Sequence, residues 1–265
     1  MLSLVVIFGS LLLVAGWEFC RPRRQREFPA LRRRLGNVGI WIVNVILAGF
    51  TFEPVGTFRP QLEAAFGSGL PSWPVANRWA SFVVAFLLLD FLIYAVHRCE
   101  HAVPFLWRFH ALHHSDPDVD VTTSVRLHPV EYLLLTAACW IPAVLLGIPA
   151  VVVLIHSLAV FAAAVTHGNI SLPIWLDRLL APLVITVDLH FIHHSISYEE
   201  GNTNFGAVLS VWDRVFGTYR WLPRSEVERI VFGVRELPRE QCLTFSAMML
   251  TPWRIARPVA ADGVG

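Results

Sequence analysis

The segment Asp90–Ser115, DFLIYAVHRCEHAVPFLWRFHALHHS, holds five histidines, first as H-x3-H (His97, His101) and then as H-x2-H-H (His110, His113, His114). The second spacing recurs at His190, His193 and His194, 76 residues beyond His114. Residues three and four apart on an α-helix share a face, so each cluster aims two or three imidazoles at one point. Eight of the eleven histidines fall in these boxes. Neutral imidazole is the commonest side-chain metal ligand and suits iron, zinc, copper and nickel. A structural zinc is saturated by four ligands, so eight convergent imidazoles call for two metals. Capped core or surface histidines would explain one such pair; they do not explain three boxes, two of identical spacing.

The chain around the boxes is apolar. Hydrophobic residues make up 55% of its 265 positions and charged residues 15%, and mean hydropathy is +0.56. Charged residues in ordinary globular proteins run near 25%, so these values predict a membrane protein. The net charge of +1 forms no broad basic face and implies no nucleic-acid partner. All 21 basic residues are arginine, which we read as the codon bias of a GC-rich bacterial genome. Four isolated cysteines, Cys20, Cys99, Cys139 and Cys242, lack C-x-x-C spacing and argue against a disulfide framework or a cysteine zinc site.

Taken in order, Met1 to Phe19 is apolar, with no basic n-region and no small-x-small cleavage site, and we read it as a transmembrane helix rather than a signal peptide. RPRRQREFPALRRR, residues 21–34, carries seven arginines and reads as a solvated cytoplasmic loop under the positive-inside rule. Leu35 to Phe52 is a second span, Glu53 to Val75 an external loop rich in Pro and Gly, and Val75 to Val96 a third span leading into His97. Asp90 lies two turns before His97 on the same face. A carboxylate within a span is costly unless partnered, and one that accepts the free N–H of a ligand histidine fits. Pro104 is expected to break the helix after His101, and DPDVDVTT after Ser115 reads as a polar loop. Tyr132–Leu146 and Ala150–Val165 form an apolar hairpin whose two ends lie on one side, which places His167 near the boxes. LPIWLDRLLAPLVITVDLHF has the character of an interfacial amphipathic helix, with Trp175 and Arg178 suited to the headgroup zone. The tail from Pro223 is polar. The fold class expected is all-α: a polytopic bundle of four or five membrane segments with a cytoplasmic histidine-rich di-metal cap. Its units are 1–75, a catalytic 76–222 and a tail 223–265.

HRCEH, HALHH and HFIHHS resemble the three histidine boxes of the sterol desaturase and fatty acid hydroxylase superfamily of membrane di-iron oxygenases. The resemblance extends through RLHPVE (Arg126–Glu131), THGN (Thr166–Asn169) and NTNFGAVLSVWDRVFGTY (Asn202–Tyr219), and so covers Asp90 to Tyr219. It implies two irons, dioxygen as co-substrate, and hydroxylation or desaturation of a lipid C–H bond, with zinc able to replace iron in overexpressed protein. It adds His167 as a ninth ligand and His128 as a tenth to the eight box histidines. It places Asn204 near the metals, where it would orient a bound water, and assigns no catalytic residue apart from the ligands. Trp212, Asp213 and Gly217 are expected to fix the fold around the third box, and His156 matches no motif. The sequence contains no dinucleotide fingerprint, iron–sulfur spacing or fused cytochrome motif, so the two electrons are expected from a partner, a ferredoxin or a cytochrome b5-like protein with its reductase. The expected setting is a bacterial inner membrane, with the site and the C-terminus cytoplasmic.

Two other classes use convergent histidines. A zinc-dependent membrane hydrolase would need fewer of them plus a nucleophile or general base, and no such set accompanies the boxes. A metal transporter would line a path across the membrane, whereas these boxes sit at helix ends on one side.

Overall fold

Apolar periodicity and two prolines set the course of the helices that carry the boxes. In the computed structural model, residues 2–66, 78–145 and 149–255 are described, and among them the regular structure is entirely helical. Helix α1 (Leu2–Cys20) is followed by α2 (Ala30–Phe66) and α3 (Arg78–Ala102). Pro104 has no N–H with which to continue α3. It sits instead in the first turn of α4 (Pro104–His114), where no backbone donor is needed. Helices α5 (Pro129–Leu145) and α6 (Pro149–His167) form the expected hairpin. Its start at Pro129 and its end at His167 both lie at the histidine boxes.

Within α3, Phe82–Ala102 is long and apolar enough to cross a membrane, and among the described residues it is the one helix that meets that test. Val6–Cys20 and Ile155–His167 are shorter apolar helices. The expected external loop at 53–75 is partly replaced by helix, because α2 runs on to Phe66 through Pro54 and Pro60. A proline removes one backbone hydrogen bond, whereas ending a helix frees several more. Residues 67–75 lie outside the described residues.

The arginine run is only in part the solvated loop expected: Arg21 and Arg32 are exposed, but Arg33 and Arg34 pair with the acids of the polar DPDVDVTT segment. Arg33 is 0% exposed. It donates to Asp116 at 2.9 Å and also to Asp120, and Asn37 and Thr123 bond Asp116 as well. Arg34 reaches Asp120 at 2.8 Å. Glu18, at the end of α1, accepts the backbone N–H of Val121 and of Asn169, each at 2.7 Å. The first loop is thereby tied to two segments that flank the boxes. Burial would raise the Asp120 carboxyl, but Arg33 and Arg34 override it and hold the group down to about 2, from 3.8. Replacing Arg33 with alanine leaves two buried carboxylates short of their cation and should cost roughly 3–5 kcal/mol, read as a fall in the unfolding midpoint in detergent. In the parent protein the Asp120 contribution is complete above its unfolded value and is lost as pH falls through about 2. The Ala variant should lack that acid limb.

The proposed amphipathic helix divides into α7 (Ile174–Leu180) and α8 (Val187–His193), with Trp175, Arg178 and Leu179 exposed on the former. The tail is less polar in its packing than in its composition. Val227, Ile230 and Phe232 share a core with Val14 of α1, Ala164 of α6 and Phe191 of α8.

Candidate metal centre

Four helix ends meet at one place. The C-terminal turn of α3 brings His97 and His101, α4 brings His110, His113 and His114, α6 brings His167, and α8 with its cap brings His190, His193 and His194. Nine imidazoles fall into two groups. His97, His101, His110, His114 and His193 form one, and His113, His167, His190 and His194 the other, with the nitrogens of each group within 4.8 Å of one another. The two H-x2-H-H boxes each contribute to both groups. His97 and His101 are half-buried and the other seven are buried, so the five-imidazole group faces the open side, beside Trp107 and Phe205.

The hydrogen bonds fix the tautomers. His97 Nδ1 lies 2.8 Å from the Phe205 carbonyl, His193 Nδ1 2.7 Å from that of Thr203, and His167 Nδ1 2.7 Å from that of Ala163. A carbonyl only accepts, so each Nδ1 carries the proton and each Nε2 of a neutral ring is bare. Burial first, and neighbouring imidazoles second, push His110, His113, His114, His190, His193 and His194 well below the usual histidine range, so the rings are neutral.

The Nε2 atoms of the nine rings crowd together. His193 Nε2 is 3.0 Å from His97 Nε2, and His167 Nε2 is 3.0 Å from His113 Nε2 and 2.9 Å from His190 Nε2. The Nε2 atoms of His101, His110 and His114 are each 3.1 Å apart. Between His97 and His193, whose Nδ1 protons are both given to carbonyls, two bare lone pairs are in contact and call for a cation between them. Two nitrogens on one ion at about 2.1 Å lie about 3.0 Å apart at a right angle and about 3.4 Å apart at the tetrahedral angle. The donor set therefore fits metals with more than four ligand positions, one in each group.

His128 joins neither group. Its ring packs on Phe109 at 5.0 Å, and its Nδ1 accepts the Val130 N–H at 3.2 Å. His156 is exposed on α6. The partners of Asp90 are not histidines: it accepts the N–H of Val208 at 3.1 Å and of Leu209 at 3.3 Å and the Trp212 indole N–H at 2.9 Å. Helical period gave the right face, but seven residues is about 10 Å of rise, beyond the reach of a carboxylate. Asn204 has no free amide hydrogen for a water. It donates to the carbonyls of Leu189 and Arg220 and accepts the Arg220 N–H. Asp213 does secure the loop, through the N–H of Phe205 and Gly206 and the Thr218 hydroxyl.

Two acids inside the recognised motifs went unassigned. Glu131 Oε1 accepts from His110 Nδ1 at 2.7 Å, and Glu100 approaches the same nitrogen at 3.5 Å. Their signal was position, one within HRCEH and one closing RLHPVE. Arg126 of the latter motif is fully buried and binds Leu112 O, Ser115 Oγ, Asn37 and Cys242 O, which secures the end of α4. A carboxylate behind a ligand imidazole fixes its tautomer and basicity, and its loss costs ~10- to 100-fold in metal affinity. Glu131→Ala should show that loss in chelator competition, and Glu131→Gln, which still offers an acceptor, a smaller one. Unchanged affinity in both would remove Glu131 from the centre.

The fold and site thus define a helical protein with nine convergent, largely buried imidazoles in two groups that could each hold a metal ion. Comparison with known proteins gives the family: the chain belongs to the fatty acid hydroxylase family, whose model matches residues 82–218. It is 34% identical to ornithine lipid hydroxylase OlsE of Rhizobium tropici over 190 residues, 70% of this chain and 55% of that protein. It is 28% identical to alkylglycerol monooxygenase of Homo sapiens over 61% of this chain and 34% of that protein. Against cholesterol 25-hydroxylase of Rattus norvegicus the identity is 27%, over 54% and 48% respectively. The matches therefore span from 34% to 55% of these relatives' lengths. No solved structure matches the chain.

Proposed function

We propose that the chain is a membrane-bound non-haem di-iron oxidoreductase that uses dioxygen and two electrons to hydroxylate or desaturate a C–H bond of a lipid. The observation that carries this reading is the pair of largely buried imidazole groups whose Nε2 atoms converge at about right-angle spacing. The nine histidines hold the irons, and His128 stands behind them next to Glu131. Two irons at these positions supply the activation of dioxygen for C–H attack. The protein holds the buried ligands neutral, sets the tautomer of His97, His167 and His193 through backbone carbonyls, and excludes water from the four-imidazole group by burial. It opens the five-imidazole group toward substrate beside Trp107 and Phe205.

The relatives are named for an ornithine lipid, an alkylglycerol and cholesterol. This supports a lipid substrate drawn from fatty acyl, ether-lipid, sterol or hopanoid, and carotenoid classes. We place the catalytic unit at 76–222. Helix α3 and four further apolar segments lie in a bacterial inner membrane, with the site and the C-terminal tail on the cytoplasmic side. Electrons come from a ferredoxin or a cytochrome b5-like protein. The test is expression in a host that lacks the protein, with metal analysis and lipid mass spectrometry. We expect two irons per chain and a lipid heavier by one oxygen or lighter by two hydrogens, absent in a His97→Ala control. An iron-loaded protein that leaves the lipid profile unchanged when electrons are supplied would overturn the reading.

A further inference from the structure

The two imidazole groups differ in what holds them. In the five-imidazole group, His97 and His193 both give their Nδ1 protons to one short segment, to the carbonyls of Phe205 and Thr203. In the four-imidazole group, His167 gives its proton to Ala163 within its own helix. Among the described residues, none of the hydrogen bonds of the four rings in that group reaches the 203–212 segment.

Through residue 210 that segment is irregular backbone, with Val211 and Trp212 opening a short helix, and it lies against the middle of α3. Its near end is gathered by Asp213, which takes the N–H of Phe205 at 2.7 Å and of Gly206 at 2.9 Å. The winding is tight enough that a Cβ added at Gly206 would collide with the Leu209 carbonyl. Its far end rests on Asp90, which takes the N–H of Val208 and Leu209 and the Trp212 indole. Asp90 is the acceptor for both amide donors, while the carbonyl of Val208 accepts the Ile185 N–H. Asp90 is buried within Phe82–Ala102, the membrane-length segment. Non-helical backbone at such depth must find all its partners in protein. This also explains why a carboxylate stands in an apolar helix with no cation beside it among the described residues: it collects three N–H donors.

We propose that Asp90 is a positioning residue which acts through the Thr203–Trp212 segment to maintain the five-imidazole group selectively. With Asp90 gone, the far end of the segment loses its anchor, the strain passes along the short run to the turn that Asp213 and Asn204 hold, and the Phe205 and Thr203 carbonyls grip His97 and His193 less firmly. The four-imidazole group keeps its own supports. The inference rests on the nine imidazoles holding two metals.

The experiment uses the full chain in detergent and Co2+ as probe, read by metal stoichiometry per folded protein and by visible absorption. The parent should bind two Co2+; failure there defeats the two-metal reading itself, not the selectivity of Asp90. Asp90→Asn sets an amide NH2 against backbone donors, and it should retain one Co2+ tightly and bind the second ~10- to 100-fold more weakly. The spectrum of the retained ion should match that of His97→Ala, not that of His190→Ala. A purely structural role would lower the unfolding temperature while two Co2+ remain bound at parental affinity. That result, or equal weakening of both ions, overturns the proposal. Should Asp90→Asn not fold, Trp212→Phe decides, because it removes one of the three donors and keeps a ring against Phe91, now 5.1 Å away. Weakening of one ion supports the proposal, and parental affinity at both sites overturns it.

Discussion

Replacing His167 with alanine will cost the protein the metal of its four-imidazole group and reduce turnover by more than about 100-fold, beyond what loss of an outer hydrogen-bond partner causes. His167 lies outside the three boxes. It nevertheless stands at the centre of its group, with Nε2 2.9 Å from that of His190 and 3.0 Å from that of His113. The ring is buried at the C-terminal end of α6 and locked by the Ala163 carbonyl, so removing it leaves three ligands and an apolar gap. His156 is the internal control. It lies on the same helix about 16 Å of rise away and is exposed, and His156→Ala should leave metal content and turnover unchanged. His128→Ala should fall between the two, since its ring supports α4 through Phe109 and is 5.0 Å from it. Metal content per folded molecule and turnover in the same preparation decide the matter. A His167→Ala protein that keeps two metals would remove His167 from the ligand set.

What the sequence made legible is local and periodic. The box spacings place the ligand nitrogens on common helix faces, Pro104 separates α3 from α4, and the hairpin returns His167 to the boxes because its two arms are of similar length. What it did not make legible depends on partners distant in the chain or on groups that carry no residue identity. Arg33 and Asp116 are 83 residues apart; taken separately, each segment looks solvated, and only their pairing makes burial affordable. The carbonyls of Ala163, Thr203 and Phe205 belong to any residue, so no letter marks them as the acceptors that set three tautomers. Asp90 shows the limit of periodicity itself: a helical repeat gives direction, while reach is set by rise per residue. The motif around Asn204 points to a place near the metals, but a short amide can equally serve the backbone, and here it does.

Substitution of Asn204 should have the second large effect, with an order that separates its two roles. Asn204 has a φ of 56°, the left-handed region that asparagine tolerates better than most side chains and glycine adopts freely. That turn lets the carbonyls on either side of it, Thr203 and Phe205, point to two different histidines, His193 and His97. The side chain then pins the turn, donating to Leu189 O at 3.0 Å and Arg220 O at 2.8 Å and accepting Arg220 N–H at 2.9 Å. Leu189 is in α8, so the same amide joins the turn to the helix that bears His190 and His193. Glycine keeps the conformation and loses the three bonds. Alanine loses the bonds and also incurs left-handed strain of order 1 kcal/mol. Aspartate keeps the acceptor, but sets a carboxylate against two buried carbonyl oxygens, which leaves acceptors facing acceptors in a site closed to water. The expected order of metal retention and turnover is parent, then Asn204→Gly, then Asn204→Ala, with Asn204→Asp lowest and reduced by at least about 100-fold, each buried acceptor left unpaired costing roughly 1–3 kcal/mol. If a bound water were the function of this residue instead, aspartate would orient it as well as asparagine does, and Asn204→Asp would outperform both small substitutions.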